Sequence, residues 1–226
     1  MIAGMRRLLI AASAVFMAAT CTTQVDARAD DDVERALAQV RARAAAGDVV
    51  AQFSLGSILY YGEDGLSQAT DWFRRAAAQG YAPAEFQMGQ LYDFGFGVTV
   101  DAEQAFGWYR KAAEHGNAAA QRAVGDFYRR GRGVAADAAE AVAWYRRAAD
   151  GDDLRAQYQL GQMYFEGTGV TRDYVSAYMW FDIAARQTPL VDNQKAILEL
   201  RNIAAARMTP EQVTEATRRA SSRSSR

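Results

Sequence analysis

Four tryptophans, Trp72, Trp108, Trp144 and Trp180, are spaced 36 residues apart, and each is followed by a second aromatic: Phe73, Tyr109, Tyr145 and Phe181. Self-similarity at a fixed period of this size belongs to arrays of one small supersecondary unit, because a single unit cannot bury its apolar face without a neighbour. Ala69, Ala105, Ala141 and Ala177 stand three residues before each Trp, and the pairs Ala76-Ala77, Ala112-Ala113, Ala148-Ala149 and Ala184-Ala185 begin four residues after it. Alanine, tryptophan and alanine at i, i+3 and i+7 form one stripe of a helix. Each repeat therefore contains a helix whose packing face is written twice over.

A second helix precedes it in every unit. The segments beginning Ala51-Gln-Phe-Ser-Leu-Gly56, Ala84-Glu-Phe-Gln-Met-Gly89, Ala120-Gln-Arg-Ala-Val-Gly125 and Ala156-Gln-Tyr-Gln-Leu-Gly161 continue to Leu59, Tyr92, Tyr128 and Tyr164 at helical spacing. Gly56, Gly89, Gly125 and Gly161 lie inside these helices, where glycine costs about 1 kcal/mol against alanine. Close approach of the paired helix and its Trp is the expected reason. Gly95-Phe-Gly97-Val98, Gly131-Arg-Gly133-Val134 and Gly167-Thr-Gly169-Val170 then join the two helices, with a glycine able to take positive φ at the helix end. Asp101, Asp137 and Asp173 stand where an N-cap is wanted, and Gln104 and Glu140 three residues on complete capping-box spacings. The first unit is three residues shorter at Gly62-Glu-Asp-Gly65-Leu66 and lacks the capping Asp, so a tighter loop is expected there.

These residues resemble the Sel1-like repeat, a tetratricopeptide-related helical hairpin. The resemblance covers residues 48–187 as four repeats and implies an all-α, right-handed α-solenoid of helical hairpins, with about eleven helices and no sheet. Residues 30–47 read as an N-terminal capping helix, ending in Gly47 where later units have Gly80 and Gly116; residues 188–220 read as a C-terminal helical cap, followed by a disordered polar tail at 221–226. Thr209-Pro210-Glu211-Gln212 marks the start of the last helix, with Thr as N-cap, Pro at the first helical position and Gln at the third. Each Trp is expected to wedge between its own unit and the next, so Trp108→Ala should cost about 3 to 5 kcal/mol.

The first 29 residues read as a secretory signal. Arg6 and Arg7 precede a twelve-residue apolar run, Leu8–Ala19, and small residues follow toward Ala27 and Ala29, the two expected cleavage sites. Twelve residues rise only about 18 Å, short of a bilayer core. The expected location is therefore the periplasm, after secretion across the inner membrane. Cys21 directly follows the run and resembles a lipoprotein acceptor, which gives membrane anchoring through lipidation as the alternative.

Chemistry has few residues to work with. One Cys and one His exclude a disulfide framework, paired-thiol redox catalysis and a Cys/His zinc site, so no metal and no cofactor is expected. His115, in Ala-Ala-Glu-His-Gly, reads as an exposed turn residue, with no nucleophile elbow nearby. Secreted cysteine-rich relatives are linked to penicillin-type ligands, but the paired cysteines and the Ser-x-x-Lys pattern are absent, so that hydrolase reading does not transfer. Lys plus Arg number 26 against 27 Asp plus Glu, a charge of −1, without the field that collects nucleic acid.

Binding is then sought where the repeats differ. The third, seventh and tenth residues of the first helix share one face: Phe53, Ser57 and Tyr60; Phe86, Gln90 and Asp93; Arg122, Asp126 and Arg129; Tyr158, Gln162 and Phe165. By resemblance to tetratricopeptide-like arrays this face lines a concave groove, and its aromatics and arginines suit a protein or peptide partner. Arg122, Arg129, Arg130 and Arg132 cluster there as a local positive patch. The expectation is a monomeric, non-catalytic protein-interaction scaffold. A polysaccharide- or peptidoglycan-binding role is the alternative, from the flat faces of Tyr60, Tyr61, Phe94 and Phe96.

Overall fold

The computed structural model describes residues 24–62, 65–188 and 191–224. These form eleven helices and, among the described residues, no strand: α1 Gln24–Ala45, α2 Val49–Tyr60, α3 Leu66–Ala78, α4 Ala82–Phe94, α5 Ala102–Glu114, α6 Ala118–Arg130, α7 Ala138–Asp150, α8 Leu154–Glu166, α9 Tyr174–Gln187, α10 Val191–Ala205 and α11 Pro210–Ser224. The apolar run of the signal reading and Cys21 lie outside the described residues. The expected cleavage sites at Ala27 and Ala29 fall within α1, which begins upstream of the expected boundary at residue 30.

The chain divides into two compact units, one ending at Ala84 and the other starting at Glu85. In the first, Ala44, Ala51 and Leu55 form a core joined by Leu37, Val40, Leu59 and Trp72. Asp48 caps α2 by accepting from the Ala51 N–H, and Arg43 holds the same carboxylate at 2.6 Å. The short first loop does leave α3 without a side-chain cap, since its N-cap residue is Gly65.

In the second unit the expected caps are in place. Asp101, Asp137 and Asp173 accept from backbone N–H groups of the first turns of α5, α7 and α9. The capping box is completed differently from expectation in the second and third repeats. The N–H of Asp101 donates to the Tyr92 carbonyl and that of Asp137 to the Tyr128 carbonyl, so these donors tie the two helices of a hairpin together. Gln104 bonds the Asp101 carboxylate instead. Among the expected capping boxes of the described residues, both reciprocal bonds form at Thr209 and Gln212. Gly133, at φ 64, shows why the loop needs its second glycine: an added Cβ would collide with the Ala102 carbonyl at the start of α5.

The helix-interior glycines do not face tryptophan, contrary to the expectation above. An alanine Cβ at Gly89 would stand 2.5 Å from Tyr109, at Gly125 2.7 Å from Tyr145, at Gly161 2.6 Å from Phe181, and in the first unit at Gly56 2.8 Å from Phe73. The ring that fills each hairpin is the residue after the Trp, and Tyr145 is 0% exposed. A one-residue step turns a helix by about 100°, which moves the Trp off this axis. Trp144 and Trp180 are buried in the core, whereas Trp72 and Trp108 are half-buried beneath a cation, Arg75 at 4.5 Å and Lys111 at 4.3 Å from the ring centres. Half-burial brings the expected cost of Trp108→Ala below the range for a fully buried ring.

The C-terminal cap packs on α9. Ile197 and Ala204 of α10 and Ala216 of α11 share a core with Tyr178 and Phe181. Asp182, buried on α9, holds Arg201 of α10 at 2.8 Å. The expected disordered tail is corrected for residues 221–224, which continue α11 to Ser224, with Arg223 paired to Asp150 and 4.8 Å over the Trp180 ring; residues 225–226 lie outside the described residues.

Candidate functional site

Within the second unit, α4, α5, α6, the loop after α6 and the start of α8 line a cleft of about 270 Å³. Hairpin packing builds its floor. Gly89 admits the Tyr109 ring against α4, and the ring is braced by Phe86 at 5.5 Å and Phe127 at 5.6 Å between centroids. Its hydroxyl donates to Asp93 Oδ2 at 3.2 Å. Burial, and then the Asp93 charge, push this phenol above the ordinary tyrosine range.

Charge lines the walls. Arg122, Arg130, Arg132 and Arg155 contribute four cations against the carboxylates of Asp93 and Asp126. Arg132 Nη1 stands 2.5 Å from Asp93 Oδ1 as an ion pair, and its Nη2 donates to the Asp93 backbone carbonyl at 3.1 Å. Arg122 lies between Asp126 and Asp153, 3.2 Å from each. Arg130 and Arg155 have no carboxylate within ion-pair distance among the described residues, and both are exposed. Phe94 completes the rim at 57% exposure.

Five of the residues expected on the groove meet here: Phe86, Gln90, Asp93, Arg122 and Asp126. Arg129 does not. Its guanidinium turns to the Tyr145 hydroxyl at 3.1 Å and to Asp126, and Tyr145 itself donates to Asp126 at 2.7 Å. The remaining groove residues serve ring packing where they stand. Phe53 lies 5.6 Å from Phe73 and 5.4 Å from Tyr81, while Tyr60 meets Tyr61 edge-on. Tyr158 contacts Phe181 and accepts from the Gln162 amide, and Phe165 meets Tyr174.

One contributor escaped the sequence reading: Arg155 sits in the second residue of α8, outside the three-position face. Phe94, expected only as a flat face for a glycan, stands one residue past the end of that face and joins the cleft rim. Both positions vary in type between repeats: Phe94, Arg130 and Glu166 share one register, and Ala119 and Arg155 another. That variation was the available signal. His115 is likewise more than a turn residue, since its Nδ1 lies 2.7 Å from Glu85 Oε2, a carboxylate only 3% exposed. Gln79 bonds Gln52 at the same place in the first unit. Among the described residues no cluster of His, Cys, Asp and Glu has the makings of a metal site.

A sequence profile described as the Sel1 repeat matches residues 49–81, 82–117, 118–153 and 154–189. Among solved structures, a Sel1 repeat protein from Oxalobacter formigenes is 31% identical, with 72% of this chain and 68% of that one covered and a TM-score of 0.65. The chain is also similar to c5321, a protective antigen present in uropathogenic Escherichia coli strains that displays an SLR fold. There the identity is 31%, the cover 83% of this chain and the TM-score 0.52; the chain spans about half, 48%, of that antigen's length. No curated protein matches the chain.

Proposed function

Because the chain belongs to the Sel1 repeat family, whose members generally serve as protein-interaction scaffolds, we propose that it is a non-catalytic adaptor of the bacterial periplasm and that its partner enters the cleft between α4 and α6. The observation that carries this reading is the pair of exposed guanidinia, Arg130 and Arg155, without carboxylate partners among the described residues, beside the exposed Phe94 ring. Arginine and aromatic side chains are the residue types that dominate binding energy at protein interfaces. The structural elements of the repeat are already satisfied by Tyr109 and the capping aspartates, so packing does not call for these groups. The periplasmic part of the proposal rests on the segment before Ala29, with lipidation at Cys21 as the membrane-anchored alternative, and the adaptor is taken to act as a monomer.

The test is a photo-crosslinking amino acid placed at Gln90 in cells making the full chain, with captured species identified by mass spectrometry. One or a few proteins captured at Gln90, and absent when the same group is placed at exposed Glu103, would support the adaptor. Capture of glycan alone would move the function to the envelope-polymer reading, which the 82% exposed Tyr61 and the tilted Phe94–Phe96 pair favour. Fractionation of the same cells places the protein, and recovery in the cytoplasm would refute the periplasmic assignment.

A further inference from the structure

The charge inventory of the cleft says what kind of partner fits, resting on its reading as the partner site. Four guanidinia face it, and two are already neutralised: Arg132 by Asp93, and Arg122 by Asp126 together with Asp153. Arg130 and Arg155 remain as two positive charges without carboxylate partners among the described residues, on a protein whose net charge is −1. Nothing in the repeat requires a cation at Arg130, because the same register holds Phe94 in one neighbour and Glu166 in the other.

The apolar and amide groups narrow the ligand further. Phe94 offers an open ring on the rim, with Phe86 and Phe127 deeper on the same lining. Gln90 lines the cleft with an amide that has no hydrogen-bond partner among the described residues. An amide carries both donors and an acceptor, the complement of a peptide bond. A densely charged polymer fits less well, since it presents a charge on every unit while the cleft leaves two guanidinia without carboxylate partners among the described residues. A neutral glycan would leave both guanidinia without counter-charges.

We propose that this cleft binds an extended acidic peptide segment of a partner protein, with Asp or Glu carboxylates on Arg130 and Arg155 and an apolar side chain of the same segment against Phe94. A guanidinium meets a carboxylate through two parallel N–H donors, so recognition depends on the planar fork as well as on charge. Arg130→Lys therefore weakens binding while keeping the charge.

The experiment uses the full chain and three short fluorescent peptides in an anisotropy titration: one alternating Glu with Leu and Phe, its Gln isostere, and its Lys counterpart. The acidic peptide should bind at least about tenfold more tightly than the Gln isostere, and the Lys peptide should not bind. Arg130→Ala and Arg155→Ala break no intramolecular ion pair, so both keep the native circular dichroism. Each should abolish most of the preference for Glu over Gln. Raising the salt should weaken the acidic peptide selectively.

The proposal is overturned if the Gln isostere binds as tightly as the acidic peptide, or if the preference survives in both arginine variants. It is overturned equally if a sulfated oligosaccharide displaces the acidic peptide and binds more tightly through the same two arginines. Failure of the wider reading looks different. If none of the peptides binds and the crosslinker at Gln90 captures no protein, the cleft is not a partner site. If Gln90 captures a protein through a neutral segment, the adaptor stands and the acidic specificity falls.

Discussion

Replacing Gly89 by alanine separates helix propensity from packing, because the two act in opposite directions. Alanine within a helix is favoured over glycine by about 1 kcal/mol. Gly107, exposed in α5, has nothing within 4 Å of an added Cβ, so Gly107→Ala should show this gain alone, about 0.5 to 1 kcal/mol. At Gly89 the new methyl would sit 2.5, 2.6 and 2.9 Å from three carbons of the Tyr109 ring, where contact normally begins near 3.5 Å. The ring has nowhere to retreat: it is 3% exposed, braced by Phe86 and Phe127, and tied to Asp93 through its hydroxyl. Overpacking of this kind costs about 1 to 3 kcal/mol, and loss of the hydroxyl bond adds about 0.5 to 1.5 kcal/mol. Set against the propensity gain of about 1 kcal/mol, Gly89→Ala should destabilise by about 0.5 to 3.5 kcal/mol. Urea denaturation followed by far-UV circular dichroism reads this as a lower midpoint at unchanged slope. In a Tyr109→Ala background the same glycine replacement should no longer cost anything. The reasoning is refuted if Gly89→Ala and Gly107→Ala stabilise alike.

Other tests address charges and hydroxyls. Tyr109 and Tyr145 both have phenols raised above their ordinary range, first by burial and then by Asp93 and Asp126 respectively. Their protons are kept by the native state and released by the unfolded one, so stability is complete below about pH 10 and falls above it, by up to about 1.4 kcal/mol per pH unit for each; Tyr145→Phe should make that alkaline slope shallower in urea titrations. Asp182→Ala leaves Arg201, a quarter exposed, without its carboxylate partner and should cost about 1 to 3 kcal/mol, seen first as faster amide exchange in α10; unchanged exchange there would refute a role for this ion pair in holding α10 on α9. His115→Ala strips the buried Glu85 of its partner and should cost about 1 to 3 kcal/mol in the same denaturation assay. The double change Glu85→Gln with His115→Gln copies the Gln52–Gln79 pair of the first repeat and should recover most of that loss; a double variant no better than His115→Ala would refute the register equivalence.

The periodic features were legible without coordinates because each depends on residues a few positions apart. A 3.6-residue helical stripe, an Asp before a first turn and a Thr-Pro-Glu-Gln start are local constraints, and they placed α5, α7, α9 and α11 correctly from Asp101, Asp137, Asp173 and Thr209. The interior glycines announced a close approach for the same reason, although their neighbour is Tyr109 or Tyr145 and not the more conspicuous Trp. Choosing between adjacent aromatics needs the rotation of one helix about its axis relative to another, which spacing within either helix does not contain.

The cleft required more. Arg122, Arg129, Arg130 and Arg132 look equivalent as a cluster in sequence, yet their roles diverge through partners at Asp153, Tyr145 and Asp93, between 16 and 39 residues away. Arg155 joins them from the next repeat. Repetition in the sequence determined the hairpin and its stacking partners, since each unit must bury the same stripe. Which guanidinia are neutralised and which are left open was decided only by the tertiary structure, because an ion pair forms within about 4 Å and stacking sets which side chains of neighbouring repeats come that close.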